Sequence, residues 1–209
     1  RMEGSYDTAK EFYGEALAIS QSLGVERRCG LALEFVAETL LEEGRPAEAL
    51  LHLERAHLLA KKLAPRGDLM MEVLRRRGEA HAALGNTPDA LRDLRRAIRL
   101  CSSRGERREQ VLAARALGLL VAKDDLDLAV RMQKILADLD LLGDRFEYAR
   151  TVYVIFEDAR LTREAHPWLA EASLTAMHFF GSLGSRVWRN RLESILGRAR
   201  PVKNDAPQL

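Results

Sequence analysis

From Leu74 to Leu100 the apolar and small positions fall into two helical runs with a break between them. Leu74, Gly78, His81, Ala82 and Leu84 recur at helical spacing on one face, and Ala90, Leu91, Leu94, Ala97, Ile98 and Leu100 mark a second. The break reads Gly85-Asn86-Thr87-Pro88. Gly85 suits the left-handed residue that ends a helix, Thr87 can cap the next helix, and Pro88 at its first position loses no needed N–H. The stretch predicts a helical hairpin.

The same grammar returns along the chain. Gly44-Arg45-Pro46-Ala47-Glu48-Ala49 and Gly4-Ser5-Tyr6-Asp7-Thr8-Ala9 align with Gly85 to Ala90, each with an opening glycine, an acid and a closing alanine. The alanines continue at Ala129 and Ala170, so successive copies lie 40, 41, 39 and 41 residues apart. A second marker falls between hairpins at Gly24, Gly67, Gly105, Gly143 and Gly184, where a glycine stop is followed, except at Gly184, by an acidic helix start. These signals predict helices at 6–23, 27–43, 46–63, 68–84, 87–102, 107–122, 125–142, 145–160, 166–182 and 186–198. They compose a half unit at 6–23, four hairpins at 27–63, 68–102, 107–142 and 145–182, and a capping helix at 186–198, within one repeat domain over 1–200. Residues 201–209 carry two prolines and no periodicity and predict a flexible tail or linker.

Composition narrows the class without changing the pattern. Aromatics make up 6% of the 209 residues, and the chain is built mainly from Ala, Leu, Arg and Glu, which favours an all-α fold over sheet. The formal net charge of +2 lacks the excess expected of a dedicated nucleic-acid binder. Charge is uneven locally, with 12 Lys/Arg against 7 Asp/Glu over residues 65 to 115. Cys29 and Cys101 stand in different repeats without metal-ligand spacing, no apolar run reaches membrane-span length, and the first residues carry no signal-peptide core. A reduced, cytoplasmic setting and no membrane partner are the expectation. The chain opens inside a repeat, which predicts that it was cut from something longer.

The repeat resembles the tetratricopeptide repeat family. Gly78, Gly85, Ala90, Leu94 and Ala97 occupy its small-residue and packing positions, as do Ala37, Gly44, Ala49, Leu53 and Ala56 one unit earlier. Small residues are needed where paired helices cross closely. The chain departs from the family pattern in having no Trp at the first aromatic position and His81 and Leu40 in place of Tyr. Its period near forty is similar to that of the long-repeat branch. The resemblance implies a right-handed superhelical solenoid of antiparallel hairpins, about ten helices in all, with no catalytic role. It also implies a scaffold for a protein or peptide segment, serving as the sensory or regulatory part of a larger bacterial signalling or transcription-control protein.

In that family the first helix of each hairpin lines a concave groove. Carried over, this nominates Glu34, Glu38, Glu42, Arg75, Glu79, Arg115, Tyr153 and Glu157 as partner-binding residues. Glu34, Glu38 and Glu42 stand four apart and so share one helical stripe. A solvated face accounts for the stripe as well as a groove does. Two alternatives remain open: Arg92, Arg95, Arg96 and Arg99, with Arg75, Arg76, Arg77, Arg104, Arg107 and Arg108, could form a central basic patch for nucleic acid, though no aromatics interleave with them for base stacking. Eight of the 12 aromatics fall after residue 145, among them Trp188 beside Arg189, so this end could be a cap or a self-association surface. His52, His57, His81, His166 and His178 form no metal motif, and no nucleophile or phosphate-loop pattern appears. No cofactor, metal or catalytic residue is expected.

Overall fold

The computed structural model describes residues 5–198, and these residues are all-helical. In chain order they form α1 (Tyr6–Ser22), α2 (Glu26–Glu42), α3 (Pro46–Leu63), α4 (Asp68–Ala83), α5 (Thr87–Arg104), α6 (Arg107–Val121), α7 (Asp125–Leu141), α8 (Arg145–Asp158), α9 (Trp168–Ser182) and α10 (Arg186–Arg198). Every boundary lies within two residues of its sequence expectation. The tail expected at 201–209 lies outside the described residues. Where one repeat domain over 1–200 is expected, the described chain forms two compact units that divide at the inter-hairpin glycine Gly143. The first holds α1 to α7 and the second α8 to α10.

The glycines explain why the boundaries are sharp. Gly24, Gly44, Gly85, Gly105, Gly143 and Gly184 all have φ between 65° and 75°. At Gly85 the turn closes with Gly85 N–H donating to Ala82 O at 3.0 Å and Asn86 N–H to His81 O at 2.8 Å. That pair satisfies carbonyls the helix end would otherwise orphan. Thr87 is the first helical residue and Asn86 occupies the capping position, so the cap falls one residue earlier than expected. Gly67 is the exception among the stops, since its φ is −82°. The reason is Pro65: it drives Ala64 to an extended φ of −157°, which ends α3 without a left-handed residue. Gly67 is instead needed for space, because a Cβ there would sit 2.9 Å from the Ala64 Cβ.

In the first unit consecutive helices pack together, and α2 also meets α4, as α4 meets α6. The core alternates large and small side chains. Leu33, Leu53, Met70 and Leu74 interdigitate with Ala37, Ala49, Ala56 and Ala97, all nearly or fully excluded from solvent. A Cβ on Gly78 would lie 2.5 Å from Leu94 Cγ, so α4 and α5 cross at a distance only glycine allows. The second unit is built on rings. Trp188, 3% exposed, meets Phe146 and Tyr153 edge-on at 6.0 and 5.4 Å and stacks on Phe180 at 6.2 Å.

Candidate functional site

The first unit places four of the nominated groove residues, Glu34, Glu38, Arg75 and Glu79, in a buried charge ladder. Three consecutive arginines on α4 make it. Successive residues of a helix point about 100° apart, so Arg75, Arg76 and Arg77 must face different neighbours. Arg75, 1% exposed, grips Glu109 on α6 with Nε at 2.5 Å and Nη2 at 3.2 Å, and Glu79 of its own helix with Nη1 at 3.0 Å. Arg76 turns to α2 and pairs with both Glu34 and Glu38. Arg77 turns to the second helices of the hairpins, reaching Glu54 at 3.0 Å and Asp93 at 3.5 Å. The pairs Arg76–Glu34 and Arg75–Glu109 link residues 42 and 34 apart, about one repeat each.

Of the eight nominated residues, Glu34, Glu38, Arg75 and Arg115 are therefore buried, at 1% to 4% exposure, and Glu42 and Glu79 are partly so. A desolvated carboxylate needs a partner, and adjacent repeats supply the guanidinium. Arg76, Glu72 and Glu109 belong to the same ladder, although the groove pattern did not nominate them; the signal was opposite charge one repeat away. Carboxylates crowd here. Burial, with the carboxylates of Glu34 and Glu109 nearby, pushes Glu72 up to about 7. Burial also works against ionising Glu109, but the Arg75 guanidinium outweighs it and holds that carboxyl below its ordinary value.

The same burial corrects the central basic patch. Arg75, Arg76 and Arg77 are spent inside the ladder, and Arg92 pairs with Asp89 and Asp93. What faces solvent is a patch reduced by the three ladder arginines: Arg92, Arg95, Arg99, Arg104, Arg107 and Arg108 are exposed and Arg96 is half-buried. Trp188, the residue offered for a self-association surface, lies inside the second unit because Phe146, Tyr153 and Phe180 pack around it. Arg189 is exposed and pairs with Glu193 one turn away at 3.2 Å.

Tyr153 and Glu157, the remaining two nominated residues, come together in an open pocket of about 550 Å³ in the second unit. α8 contributes them with Phe156, the α8–α9 connector contributes Leu161, Thr162, Arg163 and Glu164, and α10 contributes Arg191, Ser194 and Ile195. Phe156 and Leu161 form a dry base, and the charged residues stand around it. Tyr153 Oη donates to Glu157 Oε1 at 2.9 Å. Ala159 at the edge has φ 61°, the left-handed conformation that costs a side chain energy and is held by its surroundings. The connector is the longest in the described chain, and it is what leaves the opening between α8 and α10.

Other chemistry is sparse. Among the described residues no group of three or more His, Cys, Asp and Glu is placed to hold a metal ion. Cys29 and Cys101 are buried and unpaired, and burial pushes the Cys101 thiol up to about 11, away from a reactive thiolate. No helix of the described chain is long and apolar enough to cross a membrane. Compared with family models and with curated proteins, the chain matches none.

Proposed function

We propose that this chain is a non-catalytic interaction module, built like a tetratricopeptide repeat, that takes a peptide or protein segment into the pocket of its second unit. The observation that carries this is the pocket itself: about 550 Å³, with an apolar base and charged rim, and with Tyr153 and Glu157 on its wall. Pockets of this size and mix of apolar floor and few polar groups are the usual form of a binding site. The ladder of the first unit then serves as scaffold, since its buried guanidiniums and carboxylates are directed at one another. The repeat resemblance further supports a role as the sensory or regulatory segment of a larger bacterial signalling or transcription-control protein, working in the cytoplasm, a setting its two unpaired cysteines fit.

Panning a phage-displayed library of random peptides on the chain tests this. Ser194→Trp is the control, because Ser194 is exposed on the pocket rim and a bulky ring there fills the opening. Peptides enriched on the natural chain should lose binding to Ser194→Trp while its helical circular dichroism stays the same. Enriched peptides that bind both proteins equally would place the site elsewhere, and no enrichment would remove the peptide reading.

A further inference from the structure

Arg163 stands half-buried in the wall of the second-unit pocket, on the connector between α8 and α9. Its Nη2 donates to the Leu196 carbonyl of α10 at 3.2 Å, and it forms no ion pair with any described residue. A guanidinium carries five N–H donors in a fixed fork, so one donation anchors the group and leaves further donors at the pocket wall. A partly desolvated cation with an anchored plane is matched best by a carboxylate, which can take two parallel bonds. Arg191 adds a second positive charge to the same wall. Its guanidinium lies 5.1 Å from the centroid of the Trp188 ring, a cation–π contact.

The rest of the pocket limits what the anion can be. Phe156 and Leu161 are 7% and 1% exposed, and with half-buried Ile195 they offer an apolar surface. Glu157 and Glu164 sit on the rim, and Glu157 is held there by Tyr153. With one negative charge paired to Arg163, the remaining Arg191, Glu157 and Glu164 sum to one negative charge, which disfavours a second charge on the ligand. The walls thus select one negative charge attached to an apolar body.

We propose that this pocket binds a small amphiphilic acid, its apolar body against Phe156, Leu161 and Ile195 and its single carboxylate paired with Arg163. The proposal rests on the reading of this pocket as the partner site and specifies what is recognised there. The same chemistry is presented by a free organic acid and by the C-terminus of a peptide ending in an apolar residue.

Calorimetric titrations of the whole chain separate these cases. The probes are 4-phenylbutyrate and octanoate with their neutral amides, and the tripeptide N-acetyl-Ala-Ala-Leu as acid and as amide. The expected result is a preference of about tenfold or more for acid over amide within at least one pair, corresponding to one charged hydrogen-bonded contact. That preference disappears in Arg163→Gln and partly returns in Arg163→Lys, and Ser194→Trp blocks both members of the pair. A preference confined to the free acids assigns a small-molecule ligand, and one confined to the tripeptide assigns a chain terminus. Equal binding of acid and amide, no binding of any pair, or a preference that survives Arg163→Gln overturns the proposal. If panned peptides still bind with amidated ends under those outcomes, the interaction reading stands without the carboxylate.

Discussion

Arg76 bears on two buried carboxylates at once, Glu34 and Glu38, and this makes it the most sensitive single position of the ladder. Replacing it with Met strands both anions, and breaking a buried pair from one side costs about 3–5 kcal/mol. Urea unfolding of Arg76→Met should show a loss of that size, whereas the triple replacement of Arg76, Glu34 and Glu38 by Met should recover most of it. Glu72 gives a second expectation. Its pKa is about 7 in the folded chain against an ordinary 4.5, so the folded state holds an extra proton between those values. The stabilising contribution is complete below about pH 4.5 and is lost as pH rises through about 7, a change of about 3 kcal/mol. Stability measured from pH 4.5 to 8 should therefore fall more steeply with pH in the natural chain than in Glu72→Gln. The groups facing Glu72, namely Glu34 from α2, Glu109 from α6 and the two neighbouring arginines of α4, are common to both proteins. A Glu34-Glu38-Glu42 stripe has the same spacing whether it faces water or a neighbouring helix, and only the guanidinium one repeat later distinguishes the two. Burial of the stripe was thus not legible from its own helix, although the Arg75-Arg76-Arg77 run, three cations fanned around one helix, hinted at it.

At the scale of the element, the glycines carry most of what the sequence made readable. Left-handed stops at six sites fixed the helix ends, because few residues other than glycine tolerate that conformation. The α3–α4 turn was misread in its mechanism, since Pro65 and not Gly67 ends α3. Two interior glycines separate packing from propensity. Gly78 lies in α4 where an added Cβ meets Leu94, and Gly14 lies in α1 with nothing within 4 Å. Gly14→Ala should stabilise the chain by about 0.5–1 kcal/mol through helix propensity alone. Gly78→Ala should destabilise it by about 1–3 kcal/mol despite the same gain, because the α4–α5 crossing must spread. Thermal melts of the two variants should therefore shift in opposite directions. The α8–α9 connector was legible as a break but not as a pocket wall, since Arg163, Leu161 and Ser194 come together only through the way α10 lies against α8 within the second unit.

Over the whole molecule, the charge and the helices have separable roles. A net charge of +2 spread over 33 basic and 31 acidic residues gives little long-range field, and the ladder removes three arginines from the surface altogether. The first unit thus turns its arginine ladder inward, and the second holds the pocket of about 550 Å³ with charged residues around it. Binding is expected in the second, and the groove analogy, which nominated residues of α2, α4, α6 and α8, contributes only Tyr153 and Glu157 to it. Hydrogen–deuterium exchange of the chain with and without a peptide enriched by panning tests this most directly. The account predicts that protection appears in segments covering residues 153–164 and 191–195 while α2, α4 and α6 exchange unchanged. Protection concentrated on those three helices, or on the Arg95 to Arg99 stripe of α5, would contradict it.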